Sequence, residues 1–255
     1  MKINTPKLIG DALRSAKKNR TAAIIVAAGN STRMGGKGNK QFALLDGIPV
    51  LAHTLMAYQS CVLIREIVVV ARPQDFDTVY AMRREYGITK MTHIVSGGKT
   101  RQESVRHGMQ KISEEIKFIA IADGARCLTK PMQIAQVCLA AYRAKAASAG
   151  HKVSDTVKRT TALDMTVETV DRNRLWLAQT PQVFHKALYI AALHNASKDK
   201  LEATDDNALV EHLGYRVRMV ECGMQNMKIT TQEDLPVAQA ILLSRKVGEE
   251  TGEAE

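Results

Sequence analysis

The chain has 255 residues, 45% of them hydrophobic and 4% aromatic, and a formal net charge of +10. That is enough apolar material for one large α/β domain or two small ones, which excludes a disordered chain. Residues 1–20 contribute a net +5 and residues 247–255 a net −4, so the body keeps +9. An excess there is either a solvated basic surface or an electropositive cleft that focuses anionic, phosphorylated ligands. Nucleic acid is not expected as a partner, because stacking aromatics are scarce and no helix-turn-helix signature appears. Cys61, Cys127, Cys138 and Cys222 are widely separated, without zinc-ligand spacing, and read as reduced thiols of a cytoplasmic protein. No apolar run approaches the ~20 residues that cross a bilayer, and the basic N-terminus lacks a secretory apolar stretch, so no membrane association is expected.

Residues 1–20 have a weak helical pattern and read as an N-terminal extension to a single domain at residues 21–246. From there apolar runs alternate with helical patterns: AAIIVAA before PVLAHTLMAYQSC, EIVVVA before a helix through Tyr80, HIVS before a helix from about Lys99, and FIAIA before PMQIAQVCLAAYRAKAA. Four short buried-type strands separated by helices predict an α/β fold with a mostly parallel sheet covered on both faces. Beyond Gly150 the rhythm changes. Residues 152–172 are β-branched and polar, which predicts an extended β-arm inserted at about residues 152–175. Helical patterns resume at 186–196 and 204–213, and a strand follows at YRVRMVE. A last helix then begins with Thr230 or Thr231 as N-cap and Glu233 and Asp234 in its first turn. Residues 247–255 read as a disordered acidic tail.

The segment AAIIVAAGNSTRMGGKGNKQF, residues 22–42, runs a buried strand straight into a loop rich in small residues and cations. At the carboxyl end of a parallel strand such a loop lets backbone N–H groups approach phosphate oxygens. A flexible surface turn is the alternative. The segment is neither GxxxxGK[ST] nor GxGxxG opening a helix, which disfavours a Walker-type loop and an NAD-linked reductase. Arg33 and Lys40 lie in the same loop, where both charges can converge on one triphosphate.

AAGNSTRM followed by KQ and GIPVLAHTL resembles the start of the 2-C-methyl-D-erythritol 4-phosphate cytidylyltransferase family. The later blocks GGKTRQESV, DGAR, SDTVK, VDRNRLWLAQTPQVF, TDDNALVEHLG and NMKIT match in the same order, over about residues 21–245. The resemblance implies a Rossmann-like sheet of the nucleotide-diphospho-sugar transferase type, CTP as donor, and a polyol phosphate as acceptor. It implies CTP binding by Ala27, Ala28, Gly29, Gly98, Arg101, Ser104 and Asp123, and acceptor binding by Asp123, Arg126, Thr156, Arg172, Thr180 and Lys228. Arg33, Lys40, Arg172 and Lys228 take the catalytic roles. A divalent metal, Mg²⁺, is implied, held mainly by the CTP phosphates with Asp123 as its protein ligand. A homodimer is implied as well, in which the arm carrying Thr156 and Arg172 completes the partner's acceptor site.

The chain departs from the family pattern at Gly124 and Cys127, in DGARC where DAARP is common. Asn39 stands where a proline often precedes the loop lysine, and Lys99 stands at an often acidic position. Gly124 is expected to loosen its turn. D-Ribitol 5-phosphate is the rival acceptor. A fold that binds nucleotide without turnover is the rival of a different class.

Overall fold

The computed structural model describes residue 10, residues 18–29 and residues 39–250. Strand β1 (Thr21–Val26) leads through a 3-10 turn (Lys40–Phe42) and the short ribbon β2 (Leu44–Leu45) and β3 (Ile48–Pro49) into helix α1 (Val50–Ser60). Then follow β4 (Ile64–Ala71), α2 (Phe76–Glu85), β5 (Met91–Ser96), α3 (Arg101–Met109), β6 (Phe118–Asp123) and α4 (Pro131–Ala144). The second half contains β7 (Ala146–Lys152), β8 (Val157–Thr160), β9 (Thr166–Val170), β10 (Trp176–His185), α5 (Lys186–Lys198), α6 (Asp206–His212), β11 (Arg218–Glu221) and α7 (Asp234–Glu250).

Seven strands form one sheet in the order β11-β7-β10-β6-β1-β4-β5. The four strands expected from the apolar runs, β5, β4, β1 and β6, are neighbours and parallel. Only β10 runs against its neighbours, β6 and β7. Strand β1 is buried on both faces: Ala23 and Ile25 pack under α1, α2 and α4, while Ile24 packs with Val105 of α3 and with Tyr189, Leu209 and Val210 of α5 and α6. Burial on both faces explains why these strands read as continuous rather than alternating apolar runs.

Three expectations need correction. The helix predicted through KAA ends at Ala144, because Lys145 adopts a left-handed conformation (φ 65°) and its N–H closes on the Ala141 carbonyl at 2.6 Å. The small residues that follow, Ala146 to Gly150, form the buried strand β7. Gly150 leaves no room for a side chain, since a Cβ there would lie 2.7 Å from Met219 and 2.9 Å from the Leu177 carbonyl. At the last helix the capping runs opposite to expectation: the Asp234 carboxylate accepts the backbone N–H groups of Thr230 (2.7 Å) and Thr231 (2.9 Å). That helix also continues past residue 247 to Glu250, into the stretch read as a disordered tail. Residues 251–255 and most of the N-terminal extension lie outside the described residues. All four cysteines are free and buried, as expected of reduced thiols. The arm is present: β8 and β9 pair only with each other, apart from the main sheet.

Candidate active site

Because β1, β4, β5 and β6 are parallel, their carboxyl ends open on the same edge, and a cavity of about 430 Å³ lies there. Its lining includes Ala28 and Gly29 after β1, Lys40 and Gln41, Gly98 to Arg101 and Ser104 at the start of α3, Asp123 at the end of β6 with Ala125 beyond it, and Lys228. A larger cavity, about 690 Å³ between Tyr80, Arg84 and Gly87, sits at the opposite edge ahead of β5 and contains no comparable convergence of charge. Ligands of open parallel sheets bind beyond the carboxyl ends.

Asp123, the last residue of β6, is 8% exposed and ringed by cations: Lys228 Nζ at 3.2 Å, Arg126 Nε at 3.3 Å and Arg101 Nη2 at 3.8 Å. Burial alone would raise its pKa, but Lys228, Arg126 and Arg101 outweigh burial and hold the carboxyl below its usual range. The lining carries Lys40, Lys99, Arg101 and Lys228 against this one carboxylate, so the cavity retains net positive charge. That is the electropositive cleft the charge balance allowed.

Each wall has a local cause. Thr100 caps α3 by accepting the Glu103 N–H at 3.1 Å, and the Ser104 hydroxyl accepts the Gly98 N–H and donates to the Thr100 carbonyl, both at 3.0 Å. The first turn of α3 is thereby locked with its N-terminal end beside the cavity, where a helix favours anions. Gly97 permits this approach: a Cβ there would lie 2.4 Å from the Ala28 Cβ. Lys40 is 9% exposed, on the 3-10 turn that Asn39 caps by accepting the Gln41 N–H at 3.2 Å. Asn39 also donates to Asp75 at 3.2 Å, so it supplies the order expected of a proline. The Gly124 turn is tied on both sides, its N–H donating to the Val26 carbonyl at 2.9 Å and its carbonyl accepting the Thr54 hydroxyl at 2.8 Å. Its site is crowded, with Gln41 Oε1 at 2.9 Å and Leu51 Cδ1 at 3.0 Å from a notional Cβ.

The structure therefore brings together Ala28, Gly29, Lys40, Gly98, Arg101, Ser104, Asp123 and Lys228. Ala27 stands apart from the lining, a correction: it is buried, and its N–H donates to the Val70 carbonyl at 2.7 Å within the sheet, so its amide is already committed. Thr180 is 4% exposed and accepts the Asp123 N–H at 3.0 Å, which places it behind the carboxylate. Arg126 donates to Asp123 and, at 2.7 Å, to the Asn226 carbonyl. Thr156 and Arg172 are exposed on the arm and line no part of this cavity, and the Arg172 guanidinium donates to the Ser154 carbonyl. Arg33 lies outside the described residues.

Sequence reasoning did not single out several residues. Gln41 lines the cavity and is 3% exposed. Asn226 is fully buried; its side chain accepts the Thr129 hydroxyl at 2.7 Å and donates to Gln179 Oε1 at 3.1 Å and the Thr180 carbonyl at 3.0 Å. Asp206, also fully buried, pairs with Arg101. It lies in the block TDDNALVEHLG, where a second Asp stands beside Asp205 although one suffices to cap a helix.

The sequence profile of the family described as 2-C-methyl-D-erythritol 4-phosphate cytidylyltransferase matches residues 21–244. The chain belongs to this family. A relative of that description from Syntrophus aciditrophicus is 40% identical over 226 residues, spanning 88% of this chain and 97% of the relative. One from Caldanaerobacter subterraneus is 40% identical over 224 residues, spanning 87% and 98%. Among solved structures, the 4-diphosphocytidyl-2C-methyl-D-erythritol synthase of Anaerococcus prevotii superposes with a TM-score of 0.78 at 29% identity, covering 88% of this chain and 99% of that one. The family match spans the cavity, the arm and Lys228 alike, so the seven sequence blocks belong to one domain type.

No group of three or more His, Cys, Asp or Glu suited to hold a metal occurs among the described residues. Among the described residues, Asp123 is the one carboxylate lining the cavity. A hard oxygen donor of this kind suits Mg²⁺, which keeps waters and phosphate oxygens and needs few protein ligands. No described helix is long and apolar enough to cross a membrane.

Proposed function

We propose that this chain transfers the cytidylyl group from CTP to 2-C-methyl-D-erythritol 4-phosphate. The products are 4-diphosphocytidyl-2-C-methyl-D-erythritol and pyrophosphate, on the route to isoprenoid precursors. The observation that carries the reading is Asp123 at the strand ends, ringed by Lys228, Arg126 and Arg101 beside the Ala28–Gly29 turn, in a chain of this family.

The acceptor phosphate has a second pKa of about 6 and is mostly dianionic at neutral pH, so it needs no general base. Its oxygen forms a bond to the α-phosphorus of CTP while the bond from that phosphorus to the bridging oxygen breaks, and pyrophosphate departs with the electron pair. The protein's work is to align two polyanions and to neutralise charge growing on the α-phosphate and the leaving group. We assign the nucleotide to the turn after β1 and the first turn of α3, with Ala28, Gly29, Gly98, Arg101 and Ser104. Arg33 and Lys40 neutralise the triphosphate. Asp123, Arg126, Thr180 and Lys228 form the acceptor side. Mg²⁺, held by the triphosphate and Asp123, supplies further charge neutralisation when bound.

Thr156 and Arg172 complete the acceptor site of a second copy in a homodimer joined through the arm. The arm supports this: Leu163, Met165 and Val167 are 85%, 67% and 61% exposed, on a two-stranded ribbon of a kind only marginally stable alone. The catalytic domain spans residues 21–246 and works in the cytoplasm. The test is pyrophosphate release with Mg²⁺ and CTP, offering 2-C-methyl-D-erythritol 4-phosphate and D-ribitol 5-phosphate in parallel. Turnover with the first alone is expected. Turnover with ribitol phosphate alone would overturn the acceptor, and silence with both would overturn the enzyme.

A further inference from the structure

The geometry points to Asp206 as the positioning residue for Arg101: a buried carboxylate that fixes the guanidinium in the wall of the nucleotide cavity and thereby sets affinity for CTP. The inference rests on the reading of this cavity as the CTP site.

Arg101 is the first residue of α3, and its side chain leaves the helix between two carboxylates. On the cavity side Asp123 Oδ1 stands 3.8 Å from Nη2; on the other side Nη1 donates to Asp206 Oδ2 in much closer contact. Asp206 is 0% exposed. Two neighbouring elements hold it. Its backbone N–H, at the start of α6, donates to Gln182 Oε1 of β10 at 3.0 Å, and the Tyr189 hydroxyl of α5 donates to its Oδ1 at 2.5 Å. The same Gln182 donates to Asp205 at 2.7 Å, and Asp205 caps α6 by accepting the Ala208 N–H at 3.0 Å. The anchor is rigid, and the arginine it holds reaches the cavity.

A buried ion pair is a poor device for stability, since desolvating the charges offsets most of their attraction and apolar side chains of the same volume often serve better. Capping does not require Asp206, because Asp205 already supplies it. What the carboxylate does supply is a fixed guanidinium. Five N–H donors in a planar fork are useful to a ligand only when the fork is held, and Arg101 without this partner would be drawn towards Asp123. There it would compete with Lys228 and Arg126, which lie closer to that carboxylate. Asp206 thus keeps the nucleotide-side cation apart from the acceptor-side cluster.

The experiment is steady-state kinetics of Asp206→Asn, which preserves volume and removes charge, with Tyr189→Phe as the milder change. Melting temperatures and CTP titration calorimetry accompany the kinetics. For Asp206→Asn the KM for CTP is expected to rise roughly tenfold or more, as when a group supporting a ligand-binding residue is lost, with the acceptor KM unchanged. Tyr189→Phe is expected to raise it by a few fold. Added to Arg101→Ala, the Asp206→Asn change is expected to raise the CTP KM no further, since residues acting through one another are not additive. A purely structural role would lower the melting temperature and leave the CTP KM of folded protein alone. A folded Asp206→Asn with unchanged CTP KM, or a rise that persists in full without Arg101, would overturn the proposal. If Asp206→Asn does not fold, an unchanged CTP KM in Tyr189→Phe would do so. A wild-type chain inactive with CTP and the methylerythritol phosphate would instead break the functional reading itself.

Discussion

The strand-end cavity and the arm carry residues of the same expected importance in opposite physical settings. In the cavity, Asp123, Arg101 and Ser104 are held by partners whose own positions are fixed by the sheet, α3, α5 and α6. Such groups are organised before any ligand arrives, which is where electrostatic stabilisation of a transition state is strongest. On the arm, Thr156 and Arg172 are exposed, and the ribbon beyond them touches the main sheet through no strand pairing. On the proposed reading, the described nucleotide-side residues lie within one chain, while the acceptor half is completed by a second copy. CTP affinity should therefore survive damage to the arm, and turnover should not.

The largest effect is expected on the cavity side. Lys228→Met removes the cation nearest Asp123 and should lower kcat by roughly 10²–10³, the cost of losing one donor to developing charge. Pyrophosphate release measures it, and a loss below fivefold would deny Lys228 that role. Arg172→Ala should come next, with a large fall in kcat over acceptor KM and an unchanged CTP KM. Mixing the two inactive variants sharpens the comparison. In a twofold dimer whose sites combine one chain's cavity with the other's arm, a hybrid has one intact site, so activity should return to roughly a quarter of wild type. No recovery after subunit exchange would place Arg172 in its own chain's site or outside catalysis.

Much of this was legible in the sequence because its signals are local. IVVV and AAIIV are strands buried on both faces, and the blocks GGKTRQESV and DGAR lie at strand ends, where Gly98, Ser104 and Asp123 were expected. Strand β7 was not legible, because Ala146, Ala147, Ser148, Ala149 and Gly150 carry no β-branched signal and alanine favours helices in isolation; burial between β10 and β11 overrides that preference. Asp206 and Asn226 were missed for a different reason. Their parts in the site come from contacts across long stretches of chain, to Arg101 and Arg126, and no local pattern records such pairs. Ala27 shows the converse. Its place in the motif suggested phosphate binding, but parallel pairing had already engaged its N–H.

Asn226 offers an intermediate test, since it ties the loop of Lys228 to Arg126, Thr129 and the Gln179–Thr180 segment. Asn226→Ala should raise the acceptor KM roughly tenfold or more while leaving the CTP KM unchanged, as expected of a group that orients ligand-binding residues. Equal loss for both substrates would mean that the two halves of the cavity are not separable.

The smallest effect separates the two regions by pH. Asp123 has a folded pKa below its ordinary value of 3.8, since Lys228, Arg126 and Arg101 outweigh the effect of burial. A lowered carboxylate pKa means that the unfolded chain binds the proton more readily. The stabilisation is therefore fully present above the unfolded pKa and disappears as pH falls through the folded one. Asp123→Asn should melt below wild type at neutral pH, by roughly 2–4 °C for each kcal/mol lost in a chain of this size, and the gap should close below about pH 4. On the arm, Arg159 and Glu168 form a pair at 2.9 Å with side chains 68% and 47% exposed, and water screens such pairs. Glu168→Gln should leave the melting temperature close to wild type from neutral to acid pH. A gap of the same size at both sites, or one at Asp123 that widens in acid, would remove the electrostatic distinction between the buried cavity and the exposed arm.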